Sequence, residues 1–375
     1  MAGIYFHIPF CKKKCHYCDF YSKNDLKGIN DLVKYEIKEV ILRKNYLNKE
    51  IVETIYFGGG TPSLLKDDHI KDLLECVNNC FEVSSECEIS FESNPDDLTD
   101  EYLKVLYERG INRLSIGIQS FNDEILKFLG RRHDSKKLCG IIETAKDIGF
   151  SNISVDLIFG IPGMNLETYL DSLNKVLKLD IQHISAYSLT IAEGTLFYKW
   201  LNNNVIREIN EEELIVQFNS TIDLLSEHGF SHYETSNYAR EGFKSCHNSS
   251  YWEDVKYLGI GPSAHSYNHI SRQWNVSDTR AYCDHILNAT QFYEIEFLTT
   301  KDKFNEYIIT GLRTSRGVSE DYIKKNFEEK FYIFFVKEVD KLLKDNLVYF
   351  KHDRIALTRK GIMVSDFIMR LLYYV

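Results

Sequence analysis

Three cysteines, Cys11, Cys15 and Cys18, fall within eight residues in the stretch YFHIPFCKKKCHYCDFYS. The spacing C-x3-C-x2-C is that of thiolates gathered on inorganic iron or zinc. A structural zinc site takes four ligands, usually from paired C-x2-C hooks. A redox dithiol needs only C-x-x-C. A [4Fe–4S] cluster is held by thiolates on its four irons, and three cysteines leave one iron without a protein ligand. An open iron of that kind can take a small chelator through an amine and a carboxylate. The alternative is a zinc hook completed by a distant fourth ligand. Aromatic neighbours, Phe10, Tyr17 and Phe20, would shield a cluster from water and tune its potential.

Other polar residues fall where a chelated molecule would need them. Gly58-Gly59-Gly60-Thr61-Pro62 closes an apolar run. Consecutive glycines let backbone approach a ligand closely, and their amides can bind its carboxylate or amine end. Glu92 in FESNP, Gln119 and Ser120 in GIQSF, Arg131 in LGRRH and Asp156 in VDLIFGIPG sit at or near the ends of successive apolar runs. Taken singly, each reads as a solvated loop residue or a satisfied core group. Cys76 and Cys80 share a helix face among Leu73, Leu74, Val77 and Phe81, and read as small hydrophobes of the core. Further on, Cys246-His247-Asn248 precedes Tyr251-Trp252. Imidazole and thiolate are both ligands of heme iron, and two aromatic rings could cover a porphyrin face. By chemistry alone, a satisfied histidine beside two core aromatics is the simpler reading.

The elements that must position these residues alternate. Short apolar runs at 4–8, 54–58, 88–92, 113–118, 153–160 and 183–189 are expected strands. Helical patterns fill 30–46, 67–81, 99–109, 122–129, 135–148 and 165–178. Strand–helix alternation at this spacing predicts parallel βαβ units. Six such units give an open, partial (β/α)6 barrel, with its chemistry on the loops at the carboxyl ends of the strands. A long helix is expected at 210–230, an irregular stretch at 231–275, and a mostly helical, winged-helix-like C-terminal unit with a short hairpin at 347–357. The expected division is 1–195 for the partial barrel, 196–295 for a barrel extension carrying the histidine motif, and 296–375 for the C-terminal domain.

Composition narrows the function. Hydrophobic residues make up 44% and charged residues 27% of 375, with a formal charge of −10. These are ordinary proportions for a globular protein, and the acidic balance argues against nucleic-acid binding. No run reaches the ~18 apolar residues of a membrane span. The start lacks a signal-peptide pattern, so a cytoplasmic location is expected, with cysteines as thiols or metal ligands.

The loop HIPFC-x3-C-x2-C resembles the signature of the radical S-adenosylmethionine superfamily. Within that superfamily it resembles the oxygen-independent coproporphyrinogen III oxidase-like family, which includes the HemW-type heme chaperones. The similarity runs on through HISAYSLTIAEGT, HYETSNYA, GLRTSRGV and LTRKGI. It implies a [4Fe–4S] cluster on Cys11, Cys15 and Cys18. It also implies S-adenosylmethionine held by Tyr5, Tyr17, Gly59, Gly60, Thr61, Glu92, Gln119, Arg131 and Asp156, of which Gln119, Arg131 and Asp156 could serve a second such molecule. In that family the reduced cluster cleaves the cofactor to a 5′-deoxyadenosyl radical. The element HNxxYW implies heme contact through His247, Cys246, Tyr251 and Trp252. Phe20 stands where the oxidases carry a further cysteine, and only ten residues precede Cys11. Both features match the chaperone branch. The resemblance thus implies heme binding and delivery to acceptors, respiratory-chain proteins among them. The alternative is oxidative decarboxylation of coproporphyrinogen III. Peripheral membrane contact stays open, as does a monomer or a dimer formed on cofactor loading.

Overall fold

The computed structural model describes residues 1–375. Six parallel strands follow one another in chain order: β1 (Ala2–Ile8), β2 (Val52–Gly59), β3 (Val83–Ser93), β4 (Arg113–Gln119), β5 (Ile153–Phe159) and β6 (His183–Ser188). Helices at Ile29–Leu42, Asp67–Cys80, Asp100–Glu108, Leu138–Ile148 and Leu166–Leu177 make the crossovers. The expected starts and stops are present. Thr99 Oγ1 caps the helix that begins at Asp100, and Gly149 ends its helix at φ +125°, a conformation that favours glycine.

Period-two alternation gives each strand two functions. On the helix side Phe57 packs between Phe6 and Phe91, with ring centroids 4.9 and 5.4 Å away. Ile4, Phe6, Phe57 and Phe91 are wholly buried. On the lumen side the neighbours in register are polar: Tyr5 faces Tyr56, Glu92 faces Ser115 and Asp156 faces Ser185. One apolar surface thus holds the sheet to its helices while the opposite surface stays free for chemistry.

The stretch expected to be irregular is more ordered than that. It contains β7 (Ser231–Glu234), β8 (Asn237–Ala239), a helix at Cys246–Trp252, β9 (Lys256–Ile260), β10 (His265–Tyr267) and β11 (Ser271–Asn275), with β12 (Tyr293–Phe297) beyond. These strands have three to five residues each, too few for the alternation to stand out from the turns around them. β9 lies parallel to β1, pairing Tyr257 with Gly3 and Gly259 with Tyr5. The barrel therefore has a seventh parallel strand, while β8 closes the other edge antiparallel to β6.

The C-terminal part places helices at Thr300–Leu312, Glu320–Asn326 and Glu329–Lys344 against β13 (Val318–Ser319), β14 (Val348–Lys351) and β15 (Arg354–Leu357), in sheet order β13-β15-β14. That helix and hairpin order is winged-helix-like, as expected. The apolar interior forms two cores: one of 58 buried residues from Ala2 to Phe292, and one of 15 from Phe304 to Leu372. No helix is long and apolar enough to cross a membrane.

Candidate cluster and cofactor site

The cysteine loop leaves the carboxyl end of β1 and is tied at its neck and its middle. Cys11 N–H donates to the Lys23 carbonyl (2.9 Å), and Lys23 N–H donates to that of Pro9 (2.7 Å). The middle is pinned by His16, a residue that sequence reasoning passed over. Its Nδ1 lies 2.9 Å from the Phe128 carbonyl. Its N–H donates to Leu129 O, and its own carbonyl accepts from Phe197 N–H, both at 3.0 Å. Gly130, at φ +77°, makes room for the ring: a Cβ there would lie 2.7 Å from it.

The three sulfurs meet donors and positive charge. Thr61 Oγ1 donates to Cys11 Sγ (3.3 Å), and Arg131 Nη1 donates to Cys15 Sγ (3.5 Å). Burial pushes the Cys11 thiol up and the Cys18 thiol up to about 11, so the protein alone keeps both neutral. Bound iron supplies the charge that makes them thiolates. A cubane, with each thiolate on its own iron corner, asks for wider spacing than one zinc ion does.

The residues expected around the cofactor gather at the same end of the barrel. A Cβ on Gly60 would lie 2.8 Å from the carbonyl oxygens of Ile8 and Phe10, and one on Gly59 would lie 2.8 Å from the His7 ring. Only glycine lets the end of β2 rest against the cysteine loop this closely. Glu92 accepts from Tyr56 OH at 2.8 Å. Desolvation, opposed by that bond and aided by Asp156, pushes its carboxyl up to about 7. Burial likewise raises Asp156, which accepts from Ser115 Oγ at 3.2 Å. Gln119 follows an irregularity in the β4–β5 register and sits at φ +69°, a strained backbone of the kind found at ligand sites. Arg131 Nη2 donates to Gly117 O (2.6 Å), while its Nε is buried with no partner. Tyr17 stands beside Cys15 and Arg131, and Tyr5 reaches His7 Nδ1 at 3.2 Å.

These residues fit an iron–sulfur cluster with a chelating nucleotide. The donor set is soft, one ligand short and lined by a positive guanidinium. The glycine cradle excludes side chains, and Arg131 Nε and Ser93 Oγ are orphaned donors nearby, the kind of buried group that asks for a partner.

The candidate heme residues lie elsewhere. The helix Cys246–Trp252 packs across the opposite, amino-terminal end of the strands. Glu88 accepts from the N–H groups of Cys246 and His247, both at 3.0 Å. His247 Nδ1 pairs with Thr54 Oγ1 and Nε2 with Tyr251 OH, each at 2.8 Å. The ring is 1% exposed and stacks on Tyr56 at 5.0 Å. As placed, His247 is a satisfied core histidine that plugs the lumen, with no lone pair free for iron. The simpler chemical reading of this motif is the one the geometry supports. Thr54 and Glu88, which cradle the helix, carry no motif of their own, although their inward alternation on β2 and β3 was available as a signal.

Residues 5–176 match the Radical SAM superfamily, and residues 298–364 match the HemN C-terminal domain. The fold is shared with the coproporphyrinogen III oxidase of Escherichia coli (TM-score 0.86, 23% identity, 99% of this chain and 90% of that one). A partial barrel with a three-cysteine loop at its carboxyl end is therefore a radical S-adenosylmethionine protein, and that class implies a [4Fe–4S] cluster and S-adenosylmethionine. This chain is 35% identical over 374 residues to the heme chaperone HemW of Bacillus subtilis, covering 98% of this chain and 97% of that one. It is 33% identical over 364 residues to the HemW of Lactococcus lactis, covering 97% and 95%. The chain belongs to the HemW family.

Proposed function

We propose that this protein is a heme chaperone that binds heme and passes it to acceptor proteins, from a scaffold carrying a [4Fe–4S] cluster and S-adenosylmethionine. The observation that carries this is identity to the HemW chaperones over 98% of the chain, C-terminal module included. In this reading Cys11, Cys15 and Cys18 hold the cluster. Tyr5, Tyr17, Gly59, Gly60, Thr61, Glu92, Gln119, Arg131 and Asp156 hold S-adenosylmethionine. Bound there, the pair supplies one-electron cleavage of the sulfonium. The chain's own contributions are to hold the loop rigid through His16, to neutralise thiolate charge with Arg131, and to keep the lumen dry. The Glu92 carboxyl, poised at about 7, can accept or donate a hydrogen bond there.

The same reading covers the division into 1–195, 196–295 and 296–375. The separate C-terminal core supports the last boundary. The first two segments share one core, which supports reading 196–295 as an extension of the barrel. A cytoplasmic location and heme-accepting partners belong to the same proposal. The competing activity is oxidation of coproporphyrinogen III. Phe20, 63% exposed on the cysteine loop, stands where that reaction's enzymes carry a cysteine.

The test uses full-length protein, reconstituted anaerobically with iron and sulfide. Hemin should give a Soret shift, and the loaded protein should transfer heme to an apo-hemoprotein. Absence of hemin binding, or conversion of coproporphyrinogen III to protoporphyrinogen, would overturn the proposal.

A further inference from the structure

A cleft of about 1110 Å³ separates the helix Cys246–Trp252 and strands β9 to β11 from the C-terminal module. It lies beyond the His247–Tyr251 plug, at the end of the barrel away from the cysteines. Six cations and three carboxylates line it, a positive balance in a chain of formal charge −10. The carboxylates are already engaged: Glu306 with Arg272 (2.5 Å), Glu253 with Arg316 (3.8 Å) and Asp254 with Tyr267 OH. Lys351 and Arg354 are held only by backbone carbonyls, at 3.1 and 3.0 Å from Ser315 and Gly317. Neither they nor Lys244 and Lys303 has a carboxylate partner among the ion pairs. Between the cations stand eight aromatic rings. Trp252 comes from the barrel side, with Arg313 over it at 5.7 Å. Tyr322 comes from the C-terminal side and stacks on Tyr307 at 4.5 Å.

Unpaired cations recognise carboxylates, and aromatic walls recognise a flat, apolar ring. A ligand with both features is a planar macrocycle bearing two acidic arms. The lining also holds one imidazole, His269. Its Nε2 lies 2.7 Å from the Asp254 carbonyl oxygen. A carbonyl only accepts, so Nε2 carries the proton and Nδ1 keeps its lone pair. His247, by contrast, has both ring nitrogens engaged.

We propose that this cleft, and not the start of the Cys246 helix, seats the heme: its carboxylates meet Lys303, Lys351 and Arg354, its face lies on the aromatic wall at Trp252, and His269 is the iron ligand. The inference rests on the heme-carrying reading above and adds where the heme sits and what holds it. The C-terminal module then forms one wall of the heme site as well as being a separate core.

The experiment is a hemin titration of the full-length protein followed by absorbance, with cluster content measured in the same samples. The charge reversal Lys303→Glu/Lys351→Glu should weaken hemin binding about tenfold or more and leave the cluster intact. His269→Ala should move the Soret band of bound hemin. If the double reversal does not fold, Lys303→Gln/Lys351→Gln should show the same loss in smaller degree. Wild-type protein that binds hemin while the charge variants bind it equally would overturn the cleft and leave the chaperone reading standing. An unmoved Soret band in His269→Ala would remove His269 as ligand. No hemin binding by the wild type would overturn both.

Discussion

At the carboxyl ends of the strands the polar groups are left wanting. Thiols are held without a fourth ligand, Arg131 keeps an unpartnered Nε, and the glycines of β2 hold back side chains. At the amino-terminal ends the polar groups of the plug are satisfied. Thr54, His247 and Tyr251 complete one another, and Glu88 on β3 accepts from the first N–H groups of the helix that carries the last two. Both ends mix histidine, tyrosine and carboxylate, yet one is built to receive and the other to close. The difference is bonding: Arg131 Nε and Ser93 Oγ have no partner beside the cysteines, whereas both ring nitrogens of His247 have theirs. Composition alone does not separate the two.

The largest expected effect tests the open end. Cys15→Ala removes one thiolate from a set with none to spare and puts no donor in its place, so cluster iron and its visible absorbance should fall to background. Cys15 is only partly buried, so the metal-free fold should lose no more than about 1 kcal/mol in denaturant unfolding. Hemin binding at the far end should persist. A variant that keeps its cluster would show that a fourth protein ligand exists, and the contrast between open and closed ends would fail.

The closed end is tested through acid. Burial holds His247 down at about 3, against ~6.5 in the unfolded chain. Between those values the unfolded state binds a proton that the folded state refuses. The contribution of His247 to stability is therefore complete above pH ~6.5 and is lost as pH falls toward 3, at up to about 1.4 kcal/mol per pH unit. Burial also lowers His183 and His133, so the useful quantity is the difference between wild type and His247→Ala. At neutral pH the variant should be less stable by about 2–4 kcal/mol, from the cavity and the orphaned Thr54 and Tyr251 hydroxyls. That deficit should shrink as the pH is lowered. A deficit that is constant from pH 7 to 4 would mean that His247 is solvated, and the plug would not exist.

The open end was legible in the sequence because its chemistry is local: three cysteines in one loop, three glycines in one turn, and a polar residue at each strand end. Long parallel strands with apolar outer faces, such as Ile4-Phe6-Ile8 on β1, announced the barrel. β9 stayed hidden because five residues between Asp254 and the Gly261 turn carry too short a pattern. The pairing of Thr54 with His247 spans 193 positions. No spacing rule reaches that far, so a motif that looked like a ligand set turned out to be filled. His16 escaped for a related reason: its partners, Phe128 and Leu129, are backbone carbonyls, which leave no mark in sequence.

The smallest expected effect bears on where the heme sits. Cys246 is exposed. Desolvation, with the Glu88 carboxylate beside it, pushes its thiol up to about 11. In the metal-free protein it is therefore protonated at neutral pH, as Cys18 is, and a heme seated in the cleft leaves it without a role as iron ligand. The contacts that hold this helix in place come from the Cys246 backbone N–H, which serine keeps. Cys246→Ser should change stability by less than about 0.5 kcal/mol and leave the hemin titration and Soret band as in the wild type. The pair Cys246→Ser and His269→Ala thus asks one question from two sides. If the cysteine variant loses the Soret shift and the histidine variant keeps it, the heme lies at the start of the helix.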